Sequence, residues 1–314
     1  MRFFDGLAAV PAGFGPSAVT IGKFDGVHAG HRAVIADLAR TARREGLASV
    51  IVTFDRNPLE VLAPEKCPEA LISNRQKVEL IGELGVDATL MLAFDRHFSE
   101  QPPERFVQDV LVSALGARIV FVGSDFRFGA KGAGTVDRLR EWGDASGFRV
   151  ETIDDVTVGG ERRASSTWIR ELLAAGDVAA ASTLLGRLPT VRSVVVHGQK
   201  RGRELGYPTA NLSPAIEGFI PADGVYAAWA TIDGVRYAAA VSIGNNPTFD
   251  GVPQKQVEAH LLDVTLDLYD RDIEVSFVDF VRSMTKFDSL DALIAQMRDD
   301  VARVRALLGL TPAR

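Results

Sequence analysis

Short, wholly apolar runs alternate with helical patterns through the first half of this chain, and no other feature narrows its fold as much. Ala18–Gly22, Val50–Phe54, Ala88–Ala93, Ile119–Gly123 and Val150–Ile153 read as strands. Between them, Arg32–Arg44, Arg75–Leu84, Glu104–Leu115 and Val136–Ser146 carry apolar residues at helical spacing. Strands without a polar face, separated by helices, require a parallel sheet covered on both sides. Such sheets bind ligands beyond the carboxyl ends of their strands.

Two short helices, Trp168–Ala175 and Val178–Leu185, lead to a change of texture after Gly186-Arg-Leu-Pro189. Val191–Val196, Gly224–Ile232, Arg236–Ile243, Gln256–Leu262 and Ile273–Phe280 are strand-like runs joined by turns such as Asp233-Gly and Asp250-Gly. Helical spacing returns at Leu290–Leu308, with Leu290, Leu293, Ile294, Met297, Val301, Val304 and Leu308 on one stripe. An antiparallel barrel closed by a C-terminal helix is expected. With 314 residues the chain is long enough for two domains, divided here into 1–186 and 187–314.

Composition excludes several classes of partner. A net charge of −6 argues against nucleic acid or an anionic membrane as the main surface contacted. No apolar stretch reaches the roughly 18 residues that cross a bilayer, and Met1 to Ser17 lacks the pattern of a signal peptide. A cytoplasmic protein is expected. Cys67 is the sole cysteine, so neither an internal disulfide nor a cysteine zinc site can form. Oligomeric state is left open.

Two segments carry chemistry. In Gly22-Lys-Phe-Asp-Gly-Val-His-Ala-Gly-His31 a strand ends, turns through glycines and starts a helix. His28 and His31 can share one side of the first turn, where unpaired N–H groups and the helix dipole favour an anion. Imidazoles donate to phosphate oxygens; a plain helix cap with two exposed histidines is the alternative. Ser165, Ser166 and Thr167 lead into a further helix bearing Arg170, which suits either ordinary capping or a second phosphate contact. In Arg201-Gly-Arg-Glu-Leu-Gly-Tyr-Pro-Thr-Ala-Asn211, Gly202 and Gly206 allow a loop close to a nucleotide. In an extended segment Thr209 and Asn211 share a face and offer the hard oxygens that suit Mg²⁺. Glu258, on the face of its strand opposite Val257, Ala259 and Leu261, could accept a hydroxyl proton or be merely solvated.

The first motif, together with Gly123-x-Asp-Phe-x-Phe-Gly129 and Ser165-Ser-Thr-x-Ile-Arg170, resembles the adenylyltransferase half of bacterial bifunctional riboflavin kinase/FAD synthetases. Leu205-Gly-Tyr-Pro-Thr-Ala-Asn-Leu212, Ile243-Gly-Asn-Asn-Pro-Thr-Phe249 and Val257-Glu-Ala-His-Leu-Leu-Asp263 resemble the kinase half. The likeness spans essentially the whole chain. It implies a Rossmann-like nucleotidylyltransferase domain of α/β/α layers followed by a riboflavin kinase barrel. It implies that His28 and His31 act on the ATP phosphates, with Gly22, Phe24, Gly30, Ser166, Thr167 and Arg170 around that ATP and Asp125 near the substrate. In the barrel it implies Thr209 and Asn211 on Mg²⁺ with ATP, Glu258 as the base, and Asn246 and Phe249 in a loop near the substrate; His260 is left as structural or substrate-lining. The implied small molecules are riboflavin, FMN, FAD and ATP.

Two positions depart from the family pattern. Its usual Pro-His-Pro is Arg56-Asn57-Pro58 here, so a position expected near substrate cannot carry charge, and adenylylation is expected to be weaker. Its frequent Arg-x-Glu-x-Lys-Phe is Arg282-Ser-Met-Thr-Lys-Phe287, which removes a charge at Met284. An adenylyltransferase for another metabolite with an inert barrel, or a flavin-storage protein, would each be expected to lack some of Thr209, Asn211 and Glu258; all are present.

Overall fold

The computed structural model describes residues 1–153, 157–158, 162–197, 206–245 and 255–311. They pack as two compact units, Met1–Ala164 and Ser165–Arg314.

The first unit is built on strands β1 (Arg2–Asp5), β2 (Ser17–Ile21), β3 (Ala48–Phe54), β4 (Ala88–Leu92), β5 (Ala117–Gly123) and β6 (Arg149–Ile153). They form one sheet in the order β1-β4-β3-β2-β5-β6, and every neighbouring pair is parallel. All residues of β2 and β4 are buried, as expected of strands with helices over both faces. The helices are α1 (Ala29–Glu45), α2 (Pro58–Leu62), α3 (Asn74–Gly82), α4 (Arg96–Ser99), α5 (Pro103–Phe106), which runs on into a π-helical stretch at Val107–Ala114, and α6 (Val136–Ser146). After β2 the chain goes to β3 on one side, whereas β5 lies on the other. The crevice that such a reversal opens at the carboxyl ends of β2 and β5 is the expected ligand position, and Gly22 and Gly123 sit there. A short antiparallel pair, β7 (Thr157–Val158) with β8 (Arg162–Arg163), follows.

The second unit begins with α7 (Ser166–Ala174) and α8 (Val178–Leu185). Its barrel is β9 (Thr190–Val196), β10 (Ala210–Leu212), β11 (Gly224–Ile232), β12 (Val235–Asn245), β13 (Lys255–Leu261) and β14 (Asp272–Arg282), closed in the order β10-β13-β12-β11-β14-β9. Every pair is antiparallel. Asp233 and Gly234, both at positive φ, make the two-residue turn between β11 and β12. Helix α9 (Leu290–Leu307) packs on β11, β12 and β14.

Compact packing places α7 and α8 in the second unit: the Ala222 N–H bonds the Leu173 carbonyl, and Gly176 leaves room for the Tyr226 hydroxyl and the Phe280 ring. Some expectations about single elements need correction. Edge strand β1 was not anticipated, because three of its four residues are exposed and it shows no apolar run. Leu290 is exposed, whereas Asp300, outside the apolar stripe of α9, is buried. The turn expected at Asp250-Gly lies outside the described residues.

Candidate active sites

At the end of β2 the backbone is forced into an unusual turn. Phe24 and Val27 both adopt left-handed φ, at 49° and 40°, a conformation that branched and bulky residues rarely take. Packing holds it, since both side chains are buried. A Cβ on Gly22 would meet the Phe24 ring at 3.0 Å, and one on Gly30 would meet the His28 ring at 3.1 Å. These two glycines therefore make room for the rings of the motif itself.

His28 is the N-cap of α1, a position where Ser, Thr, Asp or Asn is usual. Its Nδ1 accepts the His31 backbone N–H at 3.4 Å, which leaves Nε2 as the protonated, donating nitrogen of a neutral ring. The two imidazoles stack at 3.7 Å between centroids, and Phe24 meets His31 edge-on at 5.1 Å. His31 Nδ1 is buried and has no hydrogen-bond partner among the described residues. Burial lowers the His31 pKa well below the ordinary imidazole value, and the charges of His28, Arg163, Lys23 and Lys77 lower it further. A neutral His31 stacked on His28 and ringed by cations at a helix N-terminus is poised for a polyanion.

Beside this turn lies a cavity of about 660 Å³ walled by Ile21, Phe54, Phe94, Phe98, Phe126 and Phe128. The rings pack mostly edge to face, as in Phe54 with Phe94 at 5.5 Å, while Phe126 and Phe128 stack at 5.3 Å. Asp125 is exposed on the loop that carries Phe126 and Phe128. The volume suits a drug-sized, flat aromatic ligand. Nothing in the sequence reading anticipated it, because its walls come from strand ends and loops far apart in the chain.

On the second unit, Ser165 caps α7 by accepting the Trp168 N–H at 3.2 Å. Ser166 and Thr167, the first residues of the helix, are therefore not its cap; Thr167 is exposed and Arg170 half-buried.

In the barrel, the Thr209 hydroxyl lies 3.4 Å from Glu258 Oε2, and Asn211 is directly opposite Glu258 in the β10–β13 ladder. Val257, Ala259 and Leu261 are buried, and Glu258 and His260 take the other face. Asn211 Nδ2 points to the Thr209 carbonyl at 3.5 Å. A His260 ring nitrogen donates to the Pro208 carbonyl at 2.9 Å and so pins the residue before Thr209. A cavity of about 470 Å³, lined by Thr209, Pro208, Val195, Leu268 and Tyr269, opens alongside. Gly206, at φ +83°, turns the chain into this segment. A hydroxyl, an amide and one carboxylate fit a hard cation that completes its shell with phosphate and water. Among the described residues, no cluster of three His, Cys, Asp or Glu side chains could hold a metal by itself.

Residues 12–167 match the FAD synthetase family model, and residues 185–308 match riboflavin kinase. The bifunctional riboflavin kinase/FMN adenylyltransferase of Escherichia coli K12 is 40% identical over 294 residues, which cover 93% of each chain. The enzyme of that name from Pseudomonas fluorescens is 41% identical over 288 residues, 92% of each. The chain belongs to this family. A solved Streptococcus pneumoniae structure, described as a macrolide-efflux protein, matches with a TM-score of 0.87 at 31% identity, over 97% of this chain and 99% of that one. That description is of the other protein; no described helix here is long and apolar enough to cross a membrane.

Within the family frame, Asn57 has a clear local job. Its Oδ1 accepts the Leu59 N–H at 3.1 Å while Glu60 accepts the Asn57 N–H at 3.2 Å, a capping box at the start of α2. Met284 is half exposed and lies against Gly244. Gly202, Asn246 and Phe249 fall outside the described residues. Lys77, which the sequence reading passed over as part of a helix, is buried at the carboxyl end of β3.

Proposed function

We propose that this chain makes FAD from riboflavin in two steps that each consume ATP. The barrel phosphorylates riboflavin to FMN, and the α/β unit joins AMP to FMN with release of pyrophosphate. One observation carries the reading: a stacked histidine pair at a helix N-terminus, beside an aromatic cavity, occurs in the same chain as a Thr209–Asn211–Glu258 set on a barrel.

For the kinase step, Glu258 takes the proton of the ribityl 5′-hydroxyl as that oxygen attacks the γ-phosphorus of ATP and the bond to ADP breaks, releasing ADP. Thr209 and Asn211 would hold Mg²⁺ together with the nucleotide. The ion, when bound, offsets charge building on the phosphates. For the adenylyl step, the FMN phosphate attacks the α-phosphorus directly, so the chemistry calls for positioning and charge neutralisation rather than a side-chain nucleophile. His28 Nε2–H and His31 donate to the triphosphate. The isoalloxazine ring enters the cavity between Phe54, Phe98 and Phe128, with Asp125 on the loop that carries Phe126 and Phe128. Ser166, Thr167 and Arg170 are assigned to ATP binding in this same step, so Arg170→Ala raises the KM for ATP in adenylylation and leaves the kinase step alone.

The test is to incubate the protein with riboflavin, ATP and Mg²⁺ and to separate the flavins over time. FMN appears first and FAD follows; a chelator stops both. His31→Ala halts at FMN. Glu258→Ala makes no FMN but adenylylates FMN supplied from outside. Loss of both steps in each folded variant refutes the division of labour.

A further inference from the structure

A lysine ammonium lies buried between the histidine turn and the aromatic cavity, and nothing assigned so far uses it. Lys77 is 6% exposed, on the inward face of α3. Its Nζ donates to the Phe54 carbonyl at 3.0 Å and to Asn74 Oδ1 at 3.1 Å. Asn74 Nδ2 in turn donates to the Asp55 carbonyl at 2.6 Å, and Asp55 Oδ1 accepts the Phe94 N–H at 2.8 Å. One network thus ties the carboxyl ends of β3 and β4, and its anchor points are Phe54 and Phe94, the paired rings of the cavity wall.

Burying an ammonium is costly, and a neutral donor would satisfy the Phe54 carbonyl with less desolvation. The charge itself therefore calls for a use. Burial lowers the Lys77 pKa, while Asp25 of the histidine turn, Asp55 and Glu60 act to raise it. On the other side stands His31, which faces His28 at the cap of α1, Lys23 from the turn after β2, Arg163 from β8, Lys77 from α3 and the edge of Phe24.

We infer that Lys77 is a positioning residue of adenylyl transfer: its ammonium fixes the Phe54 wall of the flavin cavity and stands as a positive charge beside the histidine pair. It acts through the Phe54 carbonyl and through His31 and is not assigned a contact with substrate. The inference rests on the proposed role of His31.

The variants Lys77→Met, which removes bond and charge, and Lys77→Gln, which keeps a donor, separate the two contributions. Lys77→Met should lower kcat/KM for FMN adenylylation by about a hundredfold, the scale of a small misplacement of reacting groups. Lys77→Gln should recover part of that loss. In both, the His31 imidazole, followed by NMR titration in the free protein, should titrate at higher pH than in the parent, because one neighbouring cation is gone. Far-UV circular dichroism and a parental thermal transition of the α/β unit report that the variants are folded, and riboflavin phosphorylation that the barrel is untouched. An unchanged His31 titration in both variants, or adenylylation at the parental rate, overturns the inference. If His31→Ala adenylylates normally, the assignment of the site fails instead, whatever Lys77 does.

Discussion

Asn57 is claimed by two roles that can be separated. Its Oδ1 is committed to the capping box of α2, whereas the family pattern puts a histidine at this position. Asn57→Ala loses the cap and should cost about 1 kcal/mol of stability, read as a lower midpoint in urea unfolding. Asn57→Asp keeps the cap and adds a negative charge. If the position faces the substrate phosphates, adenylylation falls while the unfolding midpoint holds; an unchanged rate would make Asn57 a cap and nothing more. His31 yields a pH prediction of definite sign. Its folded-state pKa lies well below 6.5, the ordinary imidazole value that the unfolded chain takes up. As pH falls through that value the unfolded state binds the extra proton first, so stability is full at neutral pH and declines in mild acid. His31→Gln does not titrate and should unfold with a flatter pH dependence across that window. Equal slopes for the two proteins would mean that His31 is not held neutral by the fold.

Helix α9 is joined to the end of β14 by more than its apolar stripe. Asp300 accepts both the Nε–H and an Nη–H of Arg282, at 2.8 and 2.7 Å, and also the Gln296 amide at 2.9 Å. Removing one partner of a buried pair leaves the other charge stranded, so Asp300→Ala should cost about 3 kcal/mol, seen as an earlier thermal transition of the barrel unit. How far the sequence disclosed these elements follows from where the signal resides. β2 and β4 were legible because burial on both faces leaves an unbroken apolar run, and α1 because glycine and histidine punctuate its start. β1 was not, since an exposed edge strand needs no such run. The cap at Asn57 was in plain view as Asn-Pro-Leu-Glu, a capping-box signature preceding an apolar residue. Lys77 and Asp300 were hidden for a shared reason: a charge on a helix reads as solvent-facing until its buried partner, distant in sequence, is known.

The histidine pair belongs to one compact unit and the Thr209–Glu258 set to the other, which makes the molecule two catalysts on a single chain. The product of the barrel is the substrate of the α/β unit. Each unit keeps its own buried core: β2 and β4 in the first, and residues such as Tyr226 and Phe277 in the second. A lesion at one site is therefore expected to leave the buried core that carries the other in place. That independence has a consequence that neither variant reveals alone. His31→Ala produces FMN and stops; Glu258→Ala cannot begin but accepts FMN. Mixed in one tube with riboflavin, ATP and Mg²⁺, the two should make FAD, after a lag set by FMN released from the first and captured by the second. Adding unlabelled FMN to isotopically labelled riboflavin should dilute the label in FAD in proportion to the FMN pool. If the mixture stays at FMN although each variant performs its remaining step at the parental rate, FMN does not leave the chain that made it, and the two sites must be coupled within one molecule.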